Sequence, residues 1–224
     1  MKLYQHPVST TCRPVMMFIA DEGLDVEQEV VDILSGAHYG EEFTKTNPNN
    51  LVPVLEDGDF RLTESSAILK YLAEKCGSAA YPSDPQARAK VNEIMDWFNT
   101  GFYRAFAYGM VYPQLLDHCK LPNDTALEAQ IATGKTQAER FLGILNDHIL
   151  GDGGPWLCGE TMTIADYFAS GVISLGEVVG CKLSAYPNVR AWYDRMQSLP
   201  NWQAANGGVY QWAEMAQGPD YVSI

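Results

Sequence analysis

The stretch H-P-V-S-T-T-C-R-P-V at residues 6–15 places three hydroxyl groups and a thiol in four consecutive positions, just ahead of an arginine and a proline. Pro14 cannot donate a helical hydrogen bond, so it must lie in the first turn of a helix that begins near Thr10 or Thr11. Ser9 then lies just before the positive end of that helix. A hydroxyl group there could donate a hydrogen bond to an anion, helped by the helix dipole.

Other groups of the same stretch compete with Ser9 for a chemical role. Thr10 and Thr11 fit helix caps better than catalytic groups. Cys12 carries the most nucleophilic side chain, but it falls within the predicted helix. The residue types alone leave the choice open between a catalytic hydroxyl and a set of plain caps.

A second candidate is V-P-V at residues 52–54, where a predicted strand begins. A proline in a strand lacks a ladder donor and belongs at a sheet edge or in a bend. With a trans Val52-Pro53 bond, which general frequencies favour, Pro53 is an ordinary edge proline. With a cis bond, the N–H and C=O of Val52 face outward, and an extended peptide can pair with them as an added strand.

The run T-E-S-S-A-I-L at residues 63–69 lies at a predicted helix start. Its hydroxyls and carboxylate fit simple helix capping. The same helix end also offers free N–H groups to a ligand carboxylate, which leaves Glu64 to pair with a neighbouring ammonium group. A ligand with an amino-acid head and a peptide body would fit both this run and an outward-facing Val52.

The elements that must position these groups alternate in type over residues 1–76. Strands are predicted at Lys2–Gln5 and Glu27–Asp32, with an apolar helix between them. Asp57-Gly58 is a strong two-residue hairpin signal within residues 51–63, and helical spacing returns over Ser65–Cys76.

Residues 77–84 have the composition of a linker, and Asp84-Pro85 fits an N-cap followed by a proline at the first helical position. A long helix follows, and Pro113 should stop it. Further helices are predicted at 126–150, 164–179 and 189–199. The fold class is therefore α/β plus all-α, with a small α/β domain at 1–76, a linker at 77–84 and an all-helical domain at 85–224.

Composition restricts the class of partner. The net charge of −13 makes nucleic acid and membrane surfaces poor partners, and no apolar run approaches the roughly 18 residues of a membrane span. The amino-terminal residues lack the apolar stretch of a signal peptide. Five cysteines are scattered and never spaced as C-x-x-C, which predicts reduced thiols in a cytoplasmic protein without a metal site.

The order of these elements, with V-P-V, D-G-D-F, T-E-S-S-A-I-L and T-I-A-D (residues 163–166), closely resembles the cytosolic glutathione transferases. The stretches V-D-I-L-S-G-A-H, D-G-D-F-R-L-T-E-S-S-A-I-L-K-Y-L and Y-P-S-D-P-Q-A-R-A are most similar to the theta class. H-P-V-S-T-T-C-R also resembles the bacterial glutathione-dependent dichloromethane dehalogenase of that lineage. The resemblance implies a thioredoxin-like first domain and a helical-bundle second domain.

The resemblance also implies where glutathione, the co-substrate, is held. Val52, followed by Pro53, pairs through its backbone with the cysteinyl part. Glu64 and Ser65 hold the γ-glutamyl end. In this family the T-I-A-D box is a folding device rather than a catalytic one.

One departure from the theta pattern concerns the glycyl end of glutathione. The theta lysine just before the V-P-V equivalent is Leu51 here. His38, in G-A-H, stands where theta enzymes keep a histidine near the glycyl carboxylate, and Leu51 leaves it more of that role. The alternative for His38 is an ordinary solvated loop histidine.

For the catalytic group, theta-type enzymes have a serine four residues before the arginine, as Ser9 precedes Arg13 here. The resemblance thus implies that Ser9 stabilises the glutathione thiolate. Cys12 could instead form a mixed disulfide with glutathione, as in the cysteine-using relatives, although it comes three residues later than the serine position. The tyrosine-using classes have their tyrosine where Gln5 stands here, so Tyr4 belongs to the core.

The second substrate should face the thiol from the helical domain. Tyr103, Arg104 and Ala107 fall on the long helix where theta enzymes carry arginines, and they form the predicted electrophile pocket. Arg104 could bind an anionic group or be a plain surface arginine. The aromatic tail after Pro200 could fold over the site or simply pack.

The sequence therefore predicts a homodimeric glutathione transferase that conjugates glutathione to a small electrophile or displaces a halide from it. Two alternatives stay open. One is a glutathione-dependent thiol oxidoreductase that uses Cys12, and the other is a transferase-like binding module without catalysis.

Overall fold

The computed structural model describes residues 1–151, 154–216 and 220–224, and its first part is built on a four-stranded mixed sheet. The strands are β1 (Lys2–Gln5), β2 (Glu27–Val30), β3 (Val54–Asp57) and β4 (Phe60–Thr63), and their spatial order is β2-β1-β3-β4. β1 is parallel to β2 and antiparallel to β3, and β3 and β4 form the predicted hairpin around Asp57-Gly58. The predicted strands are confirmed, except that β2 ends at Val30 rather than Asp32.

Three helices accompany this sheet: α1 (Cys12–Asp21), α2 (Glu41–Thr46) and α3 (Ser65–Cys76). α1 and α3 pack together, and their apolar residues Phe18 and Ile68 are fully buried with Leu3 and Leu55 of the sheet. The short α2 and a 3₁₀ turn at Ala37–Tyr39 were not predicted, because segments this short carry little periodicity.

The second part begins with α4 (Pro85–Asp96), and Asp84 caps it by accepting a 2.8 Å hydrogen bond from the Ala87 amide. The helix continues through π-helical turns at Trp97–Phe102 and Arg104–Val111 into α5 (Tyr112–Leu115). We call residues 85–115 the long helix.

The prediction that Pro113 stops the long helix was wrong by two residues, since the helix ends at Leu115. The wide turns before Pro113 do not rely on the i→i−4 hydrogen bond that a proline removes, which gives a physical reason for its tolerance.

The remaining helices complete an all-helical domain. Its elements are a 3₁₀ turn at Asp117–Cys119, α6 (Asp124–Ile144) with a π-helical end at Leu145–Ile149, α7 (Ile164–Ser174) with a 3₁₀ end at Leu175–Val179, α8 (Pro187–Gln197) and α9 (Trp202–Met215). Every residue of α7 is buried, and Thr163 and Asp166 form a capping box at its start, as the T-I-A-D motif predicted.

The α9 helix was not predicted, because Gly207-Gly208 disfavours a helix. The structure gives Gly208 a packing reason. A Cβ at this position would lie 2.9 Å from both the Cβ and the carbonyl oxygen of Pro7, so glycine allows α9 to approach the loop that precedes α1.

The predicted fold class, α/β plus all-α, is confirmed. The chain divides naturally at residues 77–84, where neither helix nor strand occurs, and we keep these residues as the proposed domain boundary. Among the described residues, no helix combines the length and apolarity needed to cross a bilayer.

Candidate active site

A cleft of about 750 Å³ opens between the α/β part and the long helix. Its walls come from six places: the loop before α1, the Ala37–Tyr39 turn, the loop before β3, the start of α3, the long helix and the Asp117–Cys119 turn. The cleft is lined by eight predicted site residues, Ser9, His38, Val52, Pro53, Glu64, Ser65, Tyr103 and Arg104. Groups separated by up to 95 positions in sequence (Arg104 minus Ser9) therefore share one cavity.

Ala107 is the predicted pocket residue that the structure contradicts. Its side chain is fully buried in the core, whereas Tyr108, the next residue, is 50% exposed and lines the cleft. The cause is the π-helical turn over Arg104–Val111, since a wider turn shifts which residues of a helix share a face. The residues of the long helix that line the cleft are Asn99, Tyr103, Arg104, Tyr108 and Tyr112.

The Ser9 hydroxyl lies at the amino-terminal end of α1, as predicted. Its Oγ accepts a 3.3 Å hydrogen bond from the Cys12 amide and shares a 3.2 Å hydrogen bond with Thr11 Oγ1. Ser9 is partly exposed in the cleft. The hydroxyl therefore meets both the free amides and the positive dipole end of this helix.

The expectation that Thr10 and Thr11 cap α1 was wrong. Thr11 occupies the N-cap position without a side-chain cap and instead donates to the Val52 carbonyl at 3.1 Å. Thr10 Oγ1 accepts a 2.9 Å hydrogen bond from the Tyr112 hydroxyl. Both threonine hydroxyls bond to partners from other parts of the fold, and Ser9 Oγ accepts the capping hydrogen bond from the Cys12 amide.

Arg13, in the first turn of α1, holds this end of the helix against α7 and α9. Its fully buried guanidinium donates to Ser174 Oγ and Asn206 Oδ1, both at 2.6 Å, and to the Gly171 carbonyl at 3.1 Å. Burial lowers the pKa of Arg13, yet an arginine with these partners stays charged. The arginine thereby ties the Ser9 loop to α7 and α9 and adds positive potential behind it.

Val52 and Pro53 are joined by a cis bond, the second of the two predicted geometries, and the Val52 carbonyl accepts its hydrogen bond from Thr11. Beside them, the Leu51 carbonyl accepts a 2.7 Å hydrogen bond from Asn47 Nδ2, and the Leu51 side chain is 59% exposed. This corner of the cleft thus presents backbone polar groups and an apolar side chain, without the lysine of the theta pattern.

At the start of α3, Glu64 has a φ of 65° and makes no side-chain cap. A positive φ costs free energy for a residue with a Cβ, and such strain persists where the surrounding fold imposes it. The exposed Glu64 carboxylate is free of the helix end, and the buried Ser65 forms the first turn. The capping interpretation of this run is therefore not what the structure adopts.

His38 lies in the Ala37–Tyr39 turn with its ring 4.0 Å from that of Tyr39. Its Nδ1 is buried without a hydrogen-bond partner. Burial, followed by the charge of His118, lowers the pKa of His38. His118 lines the same cleft from the Asp117–Cys119 turn, and no motif in the sequence indicated this second histidine.

The wall formed by the long helix is rich in phenols. The Tyr112 hydroxyl donates to Thr10, and Tyr103 and Tyr112 share a 2.9 Å hydrogen bond. Burial raises the pKa of Tyr112 to about 12 and that of Tyr103 well above its ordinary value, so both hydroxyls are neutral. Only Tyr103 of this cluster was predicted.

The competing residues lie outside the cleft. Cys12 is fully buried, and burial raises the pKa of its thiol to about 12. The Tyr4 hydroxyl donates to Glu56 at 3.0 Å, and its ring packs edge-on against Phe43.

The aromatic tail packs against the helical domain rather than over the cleft. Trp202 is buried and donates through Nε1 to the Tyr210 hydroxyl at 2.7 Å, and Tyr221 donates to the Ala216 carbonyl. Residues 217–219 of this tail lie outside the described part of the chain.

Comparisons with known proteins agree with this geometry. Residues 1–74 match the family model "Glutathione S-transferase, N-terminal domain", and residues 112–200 match "Glutathione S-transferase, C-terminal domain". A delta-class glutathione transferase from Nilaparvata lugens is 32% identical with a TM-score of 0.80, over 96% of this chain and 98% of that one.

Two further solved structures are similarly close. Human glutathione transferase theta-2, solved with glutathione and an unknown ligand, is 30% identical with a TM-score of 0.83, over 98% of this chain and 94% of that one. A glutathione S-transferase from Pseudomonas fluorescens is 30% identical with a TM-score of 0.77, over 89% and 95% of the two chains.

Proposed function

This chain belongs to the glutathione S-transferase family, and from that premise we propose that it binds glutathione in the cleft and activates its thiol with the Ser9 hydroxyl. The observation that carries the proposal is the meeting of three features in one cavity. They are Ser9 at the start of α1, the cis Val52-Pro53 edge and the uncapped Glu64 at the start of α3.

The proposed orientation of glutathione follows from these features. Its cysteinyl backbone pairs with Val52, and its γ-glutamyl end lies at the start of α3 with Glu64 and Ser65. The amides of a helix start attract a carboxylate, and the Glu64 carboxylate attracts the neighbouring ammonium group. His38 takes the glycyl carboxylate, supported by its buried Nδ1 that lacks a partner.

Ser9 then needs to stabilise a thiolate by a modest amount. A free thiol has a pKa of about 8.5, and lowering it by about two units takes about 2.7 kcal/mol. A charge-assisted hydrogen bond supplies about 1.5–3 kcal/mol, and the end of a helix contributes about 0.3–1 kcal/mol more.

The electrophile occupies the side of the cleft formed by the long helix, against Tyr103, Arg104, Tyr108 and Tyr112. The thiolate sulfur attacks an electrophilic carbon there, and the product is a conjugate or, from an alkyl halide, a thioether and halide. Arg104 is exposed in this wall and supplies a positive charge for an anionic substrate or leaving group.

We assign the chain to a theta-like lineage near the bacterial dichloromethane dehalogenase. The assignment rests on the motif stretches quoted above, because the identities to the delta-class and theta-class structures are nearly equal, at 32% and 30%. Turnover of dichloromethane with release of chloride tests this finer assignment.

Specific observations argue against the two alternatives, the thiol oxidoreductase and the binding module without catalysis. A thiol oxidoreductase would need an accessible, ionisable Cys12, but this thiol is fully buried and its pKa is raised to about 12. A binding module without catalysis would not need a serine hydroxyl that lines the cleft at the start of a helix.

We further propose a cytoplasmic homodimer, with the first domain of one copy packing against the helical domain of the other. Exposed apolar surface on both domains supports the pairing. Phe60 is 48% exposed on the hairpin, and Leu121 is 47% exposed beside a groove of about 560 Å³ between the long helix and α6. The scattered cysteines, free throughout the described chain, support the location.

The proposed function is tested by turnover of glutathione with an aryl halide and with dichloromethane, for wild type, Ser9→Ala and Cys12→Ser. We expect Ser9→Ala to lose most of the rate and Cys12→Ser to keep it. Retained activity in Ser9→Ala with loss in Cys12→Ser would instead favour the thiol oxidoreductase.

A further inference from the structure

Two hydrogen bonds connect Ser9 to the edge that is proposed to hold the glutathione backbone, and a third holds Ser9 to the start of α1. The Cys12 amide donates to Ser9 Oγ at 3.3 Å, Ser9 Oγ and Thr11 Oγ1 lie 3.2 Å apart, and Thr11 Oγ1 donates to the Val52 carbonyl at 3.1 Å. We call Ser9, Thr11 and the Val52 carbonyl the hydroxyl relay.

The direction of the relay follows from counting hydrogens. A hydroxyl has one hydrogen to donate, and a carbonyl oxygen can only accept. The hydrogen of Thr11 is therefore committed to Val52. Consequently Ser9 must be the donor in its hydrogen bond with Thr11.

This direction matters for the proposed chemistry. In this hydrogen-bond arrangement, the Ser9 proton is directed at Thr11 and not into the cleft. Ser9 can donate to a sulfur only if its bond to Thr11 is given up. Ser9 must therefore release Thr11 before it can stabilise a thiolate, and a Thr11 that turned to donate to Ser9 would favour that release.

We infer that glutathione itself reverses the relay, so that Thr11 is a positioning residue for Ser9; this inference rests on the proposed function. When the cysteinyl N–H of glutathione replaces the Thr11 hydroxyl as the donor to the Val52 carbonyl, Thr11 turns and donates to Ser9 Oγ. Ser9 then donates to the sulfur.

The reversal costs no hydrogen bond. The Val52 carbonyl exchanges an O–H donor for an N–H donor, Thr11 exchanges one oxygen acceptor for another, and Ser9 exchanges a neutral acceptor for an anionic one. Both hydroxyls keep their protons throughout, and the thiol proton leaves to solvent. A donor that itself receives a hydrogen bond is polarised and donates more strongly, so Thr11 in its reversed position assists Ser9.

The reversal couples thiol activation to correct binding of the peptide part. A small thiol that leaves Val52 unpaired would meet a Ser9 still donating to Thr11. The enzyme would therefore ionise glutathione in preference to thiols without its peptide backbone.

The test measures the pKa of the bound glutathione thiol by ultraviolet absorbance of the thiolate, for wild type, Thr11→Val, Thr11→Ser, Ser9→Ala and the double variant Ser9→Ala/Thr11→Val. Valine matches threonine in shape but removes the hydroxyl. We expect Thr11→Val to raise the thiol pKa by about 0.5 to 1 unit, a three- to tenfold smaller thiolate fraction below the pKa. Thr11→Ser should restore the wild-type value.

A purely structural role of Thr11 would change the thiol pKa in the Ser9→Ala background as well as in wild type. Under the relay, Thr11→Val has no effect on the thiol pKa in the Ser9→Ala background, because Thr11 acts only through Ser9. The affinity for S-methylglutathione should stay within about twofold of wild type, which would show that the site is intact.

An unchanged or lowered thiol pKa in Thr11→Val would overturn the reversal, since a Thr11 that only competes for the Ser9 proton would release it when removed. If wild type and Ser9→Ala share one thiol pKa, the proposed function fails as well. A normal Ser9 effect without a Thr11 effect refutes this inference alone.

Discussion

The role of Ser9 gives the sharpest quantitative prediction. Ser9→Ala removes a hydroxyl that lies at the start of α1 and lines the cleft, together with its hydrogen bonds to Cys12 and Thr11. The substitution leaves the backbone of the loop in place, because the Ser9 carbonyl still accepts from the Cys12 and Arg13 amides at 3.2 Å.

The magnitude follows from the lost bond to the sulfur. A charge-assisted hydrogen bond is worth about 1.5–3 kcal/mol, and 1.36 kcal/mol corresponds to one pKa unit. Ser9→Ala should therefore raise the pKa of the bound thiol by about 1 to 2 units. The helix dipole and the buried charge of Arg13 remain, so the thiol pKa should stay somewhat below that of free glutathione.

The assay titrates the thiolate absorbance of the enzyme–glutathione complex against pH and compares it with kcat/KM for an aryl halide over the same range. Below its pKa, the thiolate fraction and kcat/KM should both fall about 10- to 100-fold in Ser9→Ala. The lost cap should also lower the free energy of unfolding by about 1 kcal/mol.

Cys12→Ser is the matched control, because it changes a buried side chain three residues away. Its bound-thiol pKa should equal that of wild type. The reasoning would be refuted by a Ser9→Ala complex that binds glutathione and ionises it like wild type, since the tyrosines or Arg13 would then carry the activation.

Three further predictions follow from the same structure. Burial and the charge of His118 lower the pKa of His38, and a bound glycyl carboxylate should raise that pKa again. The affinity for S-methylglutathione, measured by calorimetric titration, should therefore increase as pH falls below the ordinary histidine range. His38→Gln should flatten this pH dependence. Asp166 accepts hydrogen bonds from Leu157, Thr163 and Trp192. Asp166→Ala should therefore lower the free energy of unfolding, measured by urea denaturation, by about 4 kcal/mol, and Thr163→Ala should lower it by about 1 kcal/mol. An unchanged urea midpoint would contradict the capping box. Sedimentation should give twice the chain mass of 24.8 kDa, and Phe60→Glu should shift it towards the monomer; a monomeric wild type would contradict the proposed dimer.

The sequence determined those parts of the molecule that depend on neighbours along the chain. The Asp57-Gly58 hairpin, the Asp84-Pro85 helix start and the capping box at Thr163 all arise from short-range sterics and hydrogen bonds, and all three formed where predicted. The motifs likewise named six residues of the α/β part, and all six line the cleft: Ser9, His38, Val52, Pro53, Glu64 and Ser65.

The tertiary structure decided what depends on contacts between distant residues. Thr11 bonds to Val52, 41 positions away, and Tyr112 bonds to Thr10, 102 positions away, so no local pattern could predict that capping falls to Ser9. The wide turns of the long helix replaced Ala107 by Tyr108 in the cleft. Local rules pair a hydroxyl with its nearest free amide. In the folded chain, packing brings many other donors and acceptors within hydrogen-bonding distance of the same hydroxyl. Its partner is therefore determined only when the whole fold has formed.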